Sequence, residues 1–162
     1  MADLYRTDYH KWLGQQRDLL AQRQFDQLDI DNLLEAMELR MGDYADNLES
    51  HLVTLVLHLL KYQYQTFVIN PNLYEPKTFR SWLISISNAR NDISDLIKKH
   101  PHLQPRQDES LSNSYPKAKK RAIEQMNLFI TNKRYLVNNN SFPDQCPWTF
   151  NQIMTEDWLP DD

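Results

Sequence analysis

The chain of 162 residues carries 18 basic and 22 acidic side chains, a net charge of −4, with 2 glycines and 1 cysteine. Average glycine usage near ~7% would give about eleven, and the shortage excludes the phosphate-cradling loops: neither G-x-G-x-x-G nor G-x-x-x-x-G-K-[ST] occurs. Scarce glycine also argues against hairpin-rich β architecture, and the single Cys146 excludes both a disulfide framework and a C-x-x-C metal knuckle.

A chain this long buries roughly two-thirds of its unfolded surface, so one domain spanning 1–162 needs no metal or disulfide staple. The charge is uneven. Residues 1–50 hold 5 basic and 11 acidic side chains, whereas residues 98–134 hold 9 and 3. Such asymmetry marks a nucleic-acid face in some proteins, but complementary helices or solvated surfaces account for it equally well. The start, "MADLYRTDYHKWLGQQ", is polar throughout, so no secretory signal is expected. The longest apolar segment, "HLVTLVLHLLKY" from His51, falls short of the ~20 residues a bilayer span requires. The expected location is cytoplasmic, with no membrane contact.

Apolar residues recur with helical period nearly everywhere. A first helix is expected over Asp8–Arg23 behind Thr7 as N-cap, with Tyr5, Tyr9, Trp12, Leu13, Leu19 and Leu20 as its stripe. A second spans Asn32–Arg40, capped by Asp31 or Asp29, with Ile30, Leu34, Met37 and Met41 in line. Gly42 is expected to interrupt. A third helix follows over Asp43–Gln65, where Leu48, Leu52, Leu55, Leu59 and Tyr62 form one line within a wide apolar arc, as a central helix requires. Asn70-Pro71-Asn72 and Glu75-Pro76 mark a loop. A fourth helix covers Lys77–Lys99 on Phe79, Trp82, Leu83, Ile86, Ile93 and Ile97. A fifth covers Gln107–Asn132, kinked or restarted at Pro116. "VNNNSFPDQCP" is loop, and Thr149-x-x-Gln152 spells a capping box that opens a short final helix. The expected fold is all-α: a bundle of five to six helices, mostly antiparallel, around a long central third helix.

Function is sought where a local rule is violated. At 100° per residue, Arg90 lies about 40° from Ile86 inside the fourth stripe, and it needs a carboxylate or several carbonyls. Glu38 lies about 40° from Leu34, with Glu35 one turn back; Gln16 lies about 40° from Trp12; His51 and His58 flank Leu55. If these apolar sides converge, Gln16, Glu35, Glu38, His51, His58 and Arg90 form one internal polar cluster. It is then either an ion-pair network fixing helix register, with Arg90 forked onto Glu38, or a site for acid–base or metal chemistry.

No metal or cofactor is expected. Ferritin-like di-iron bundles use Glu-x-x-His on two helices, and this chain offers Glu35-x-x-Glu38 but no E-x-x-H. His51 and His58 stand about 10.5 Å apart along a helix, too far to chelate one ion easily. Cys146 lies in "DQCPWT" without a basic neighbour and reads as a packed side chain. The basic run Lys117, Lys119, Lys120 and Arg121 has no interleaved aromatics for base stacking, so nucleic acid is not the expected partner.

The stretches "LYRTDYHKWL", "FDQLDIDNLLEAMEL", "LESHLVTLVLHLLKYQYQ", "SWLISISNARNDI" and "FPDQCPWTFNQIMTEDWLP" together resemble the domain of unknown function 29 family, a bacterial family frequent in photosynthetic bacteria. The family's Asn-Leu-x-Glu-Glu-Ile-Glu falls on Asn32 to Glu38, with Ala36 in place of its middle acid. His51, His58, Trp82, Arg90 and the Cys146-Pro147-Trp148 triplet fall on its motif positions. The linker "TFVINPNLYEP" is longer and more apolar than the short basic one common among members. The resemblance implies an α-helical fold and a bacterial, cytosolic origin, and it implies no activity.

The functional expectation is a helical binding or regulatory module acting through a protein partner or a second copy. The exposed side of the third helix and the apolar Phe67, Val68, Ile69 and Leu73 motivate it. The alternative is an acid–base or metal-dependent enzyme built on Glu38, His58 and Arg90.

Overall fold

A computed structural model describes residues 3–69, 76–128 and 130–161, excluding the side chains of Met41 and of residues 76–79. It is an all-α helical bundle, with six α-helices and no β-strand among the described residues. These are α1 (Leu4–Thr7), α2 (Tyr9–Ala21), α3 (Ile30–Tyr64), α4 (Pro76–Lys99), α5 (Gln107–Asn127) and α6 (Phe150–Met154). The chain divides into two compact units, Met1–Asp43 and Tyr44–Asp162.

In the first unit Asp8, rather than Thr7, caps α2: its side chain accepts from the Lys11 N–H at 3.1 Å. Thr7 belongs to α1, and its hydroxyl donates to the Asp3 carbonyl. A carboxylate at this position accepts an orphan N–H and meets the positive end of the helix dipole, which a hydroxyl cannot match. The turn between α2 and α3 closes on Asp29. Its N–H donates to Gln16 Oε1 at 2.8 Å, while its carboxylate accepts from Trp12 Nε1 at 3.0 Å and Asn32 Nδ2 at 2.8 Å. Trp12 and Gln16, one helical turn apart, are the two buried residues of α2.

The expected break at Gly42 is absent. The helix runs unbroken through it, and Gly42 has no positive φ. An exposed glycine inside a helix costs only ~1 kcal/mol against alanine, which a helix of 35 residues absorbs.

The second unit is built around residues 48–60 of α3. Leu48, Leu52, Leu55, Val56, Leu59 and Leu60 are fully buried, several apolar side chains worth about 1.5–3 kcal/mol each relative to exposure. From α4, Ile86, Ala89, Ile93 and Ile97 pack into the same core. From α5 comes a face with small residues, Ser110, Ser114, Ala118 and Ala122, and the Ser114 hydroxyl reaches the Glu49 carbonyl on α3. Helix α5 runs through Pro116 without a break and ends at Asn127, short of the expected Asn132. Proline there forfeits one bond to the Ser112 carbonyl, and Ser112 is exposed to water.

Beyond Tyr64 the chain does not turn into a loop at once. Gln65–Ile69 continues as one π-helical turn. Phe67 and Ile69 are half-buried and Val68 is exposed. Leu73, the two loop prolines' flanking residues 70–75, and the side chains of Met41 and Phe79 lie outside the described residues. The irregular stretch after α5 is fastened by side chains onto backbone. Asn127 pairs reciprocally with the N–H and carbonyl of Val137 at 2.9 and 2.8 Å, and Tyr115 Oη donates to the Pro143 carbonyl at 2.7 Å. The Thr149–Gln152 capping box forms as spelled and opens α6.

Candidate functional site

In the first unit the amphipathic start of α3 leaves much of its apolar stripe in solvent. Ile30, Leu34 and Met37, at i, i+4 and i+7, are 51, 56 and 57% exposed. Beside them Tyr9 and Leu13 of α2 join Leu33, Ala36, Met37 and Arg40 of α3 around a groove of about 430 Å³. Tyr9, which lines the groove, belongs to an aromatic cluster: Tyr5 and Tyr9 stand 4.7 and 5.5 Å from Trp12, centroid to centroid. Glu35 is exposed and faces the Tyr5 phenol, whose pKa rises through partial covering and through that carboxylate. Glu38 is also exposed. Asp29 is held below the ordinary carboxylate range by the hydrogen bonds from Asn32 and Trp12. The sequence candidates Gln16, Glu35 and Glu38 thus sit in this unit with distinct surroundings: Gln16 buried as an acceptor for backbone, the two glutamates in water.

The second unit holds His51, His58 and Arg90. His51 Nδ1 lies 3.8 Å from Asp92 Oδ2 of α4, the histidine partly and the aspartate largely exposed. His58 is half-buried, and its Nδ1 is shut from solvent without a hydrogen-bond partner among the described residues. Burial, aided by the nearby Lys61 charge, pushes its pKa down to about 4, so at neutral pH it is an uncharged imidazole. Arg90 takes carbonyls as partners. Its Nε donates to Ile153 O at 2.7 Å and its Nη2 to Trp158 O at 2.6 Å, tying α4 to the C-terminal segment. Burial lowers the guanidinium's pKa, and the Asp157 carboxylate opposes that shift. Among the described residues no group of three or more His, Cys, Asp or Glu side chains is placed to hold a metal ion.

Of the other sequence candidates, Cys146 is half-buried. Its thiol contacts the Trp148 carbonyl at 3.4 Å, and burial raises its pKa away from thiolate chemistry. The basic run on α5 is split: Lys119 is buried with Nζ 3.6 Å from Asp144, while Lys117, Lys120 and Arg121 are exposed. No described helix is long and apolar enough to cross a membrane.

One misfit of the apolar arc escaped the sequence reading. Lys61, about 40° from Leu57 on the helical wheel, is only 9% exposed. Its Nζ donates to Gln125 Oε1 of α5 at 3.0 Å and lies 5.0 Å from the centre of the Trp82 ring of α4. Burial lowers its pKa. The three residues line a cavity of about 830 Å³. The sequence signal was available, since a lysine among leucines breaks the stripe as Arg90 does.

Compared with known families, residues 4–159 match the model of the Domain of unknown function DUF29. The chain belongs to this family. No curated protein and no solved structure shows a significant match. Membership in DUF29 spans both units, so the groove and the Lys61 cavity both lie within the matched region. It assigns a chemistry to neither.

Proposed function

We propose that this DUF29 protein is a helical binding or regulatory module acting through protein–protein interaction, with the apolar face of the first unit as its docking surface. The observation that supports this is the exposed row Ile30, Leu34 and Met37 bordering the Tyr9–Leu13–Met37 groove. Contiguous exposed apolar surface with a polar margin is the mark of an interaction site. Spacing of i, i+4, i+7 suits an amphipathic helix laid alongside.

Charge selects the occupant. Residues 1–43 hold nine acidic and five basic side chains, and Asp31, Glu35 and Glu38 lie along this same stretch of α3. A second copy would set those acids against their equals, whereas a basic amphipathic helix from another protein meets them with opposite charge.

The test uses the full chain with ¹³C-labelled methionine methyls and two synthetic 18-residue helical peptides, one of Leu and Lys, the other of Leu and Glu. The Leu/Lys peptide is expected to shift the Met37 methyl with one-to-one saturation, and Leu34→Asp with Met37→Asp should abolish binding. Equal binding of both peptides, binding that survives the double substitution, or a concentration-dependent dimer lost in that variant would overturn the proposal.

A further inference from the structure

Lys61 carries a charge that its described surroundings do not neutralise. It is 91% removed from solvent, in the last turn of α3, yet its polar partner is the neutral Gln125 amide at 3.0 Å and its other neighbour is the face of Trp82 at 5.0 Å. Among the described residues it forms no ion pair. Buried ammonium groups are ordinarily paired, because an isolated charge is strongly disfavoured in a low-dielectric interior. An ammonium has three N–H donors, and the Gln125 oxygen satisfies one.

The space beside it is built for a small molecule. At about 830 Å³ the cavity falls within the usual range for ligand pockets of about 300–1,000 Å³. Its walls combine an apolar set, Ile69, Met126 and Ile130, with a few neutral polar groups, Gln65, Thr131 and Tyr135. Two of these, Gln65 and Ile69, are the first and last residues of the π-helical turn that ends α3. Single π-turns recur at functional sites because the wider turn redirects side chains that an α-helical turn would stack.

We infer that the Lys61 cavity binds a small organic monocarboxylate with an aromatic or aliphatic body, its carboxylate on the Lys61 ammonium and its body against Trp82, Met126 and Ile130. One cation matches one negative charge. A phosphate ester brings up to two negative charges, and Lys61 is the single cationic side chain among the residues that line this cavity. The site is independent of the first-unit groove, since every residue that lines it lies in the second unit.

The test is calorimetric titration of the full protein with 4-phenylbutyrate and octanoate, against 4-phenylbutyramide and inorganic phosphate as controls. One site is expected for each carboxylate, with the amide at least tenfold weaker and phosphate not binding. Lys61→Met keeps the stem and removes the charge. It should bind the carboxylate at least tenfold more weakly, no better than the amide, with an unchanged or higher melting temperature. Gln125→Glu supplies an internal counter-ion and should abolish carboxylate binding in a folded protein. The inference is overturned if the wild type binds neither carboxylate at millimolar concentration. Tighter binding of phosphate, or wild-type affinity in a folded Lys61→Met or Gln125→Glu variant, overturns it equally.

Discussion

Arg90 is the fastener whose removal has the most readable consequence. Replacing it with methionine retains a long apolar stem but leaves the Ile153 and Trp158 carbonyls, now bonded at 2.7 and 2.6 Å, without donors. Hydrogen bonds from a charged donor contribute about 1.5–3 kcal/mol each. Arg90 is half-buried and water can replace part of the loss, so the lower end applies and the pair should cost about 3 kcal/mol. For a chain of this size that is a fall of roughly 6–12 °C in Tm. Arg90→Lys keeps the charge and one donor direction but not the fork, so it should fall between wild type and methionine.

Global denaturation gives the magnitude, and amide exchange gives the location. The C-terminal segment is otherwise held by buried Phe150 and Ile153, by the edge contact of Trp148 with Trp158 at 5.8 Å, and by Gln63 donating to the Asp161 carbonyl at 2.7 Å. Protection should therefore fall first over residues 150–161 and only later in the α3 core. A methionine variant within 0.5 kcal/mol of wild type, or one that loosens α3 while the C-terminal segment stays protected, would refute this reasoning.

Two further outcomes are expected. His58, pushed down to about 4 in the fold from about 6.5 in the unfolded chain, takes up its proton on unfolding. Stability is thus full above about pH 6.5 and declines as pH falls toward 4. The stability difference between wild type and His58→Leu should be constant above pH 6.5 and swing toward the leucine variant below it; parallel pH profiles would show that the imidazole is not excluded from protonation. Gly42→Ala should stabilise the protein by about 1 kcal/mol, because a Cβ there meets nothing within 4 Å and the backbone is already helical. A lower melting temperature in that variant would place the helix break back at residue 42.

The architecture was legible because burial is periodic. A stripe such as Leu48, Leu52, Leu55 and Leu59 states both that a helix exists and which side is covered, and all four are fully buried. The misreadings were local. Gly42 and Pro116 are breakers by intrinsic preference, but each sits at an exposed position of a long helix, which absorbs a penalty of one to a few kcal/mol. The cap moved one residue, from Thr7 to Asp8, because two adjacent residues both had capping chemistry.

The polar residues were legible as misfits but not as partners, since a helical wheel gives an angle and not a neighbour. Arg90 bonds to carbonyls 63 and 68 residues further along, in a segment with no periodicity from which its position could be read. Gln16 answers to a backbone N–H in a turn. Lys61 broke its stripe in the same way and is the more informative case. Two of the donors on Arg90 meet two carbonyls, so its presence is explained by the fold it fastens. Among the described residues the ammonium of Lys61 meets one neutral oxygen and an aromatic face beside an open cavity, so they do not balance its charge. Replacing an unbalanced buried lysine with methionine should preserve or raise stability, whereas replacing the satisfied arginine should lower it. That opposition of sign separates a residue retained for the scaffold from one retained for a ligand.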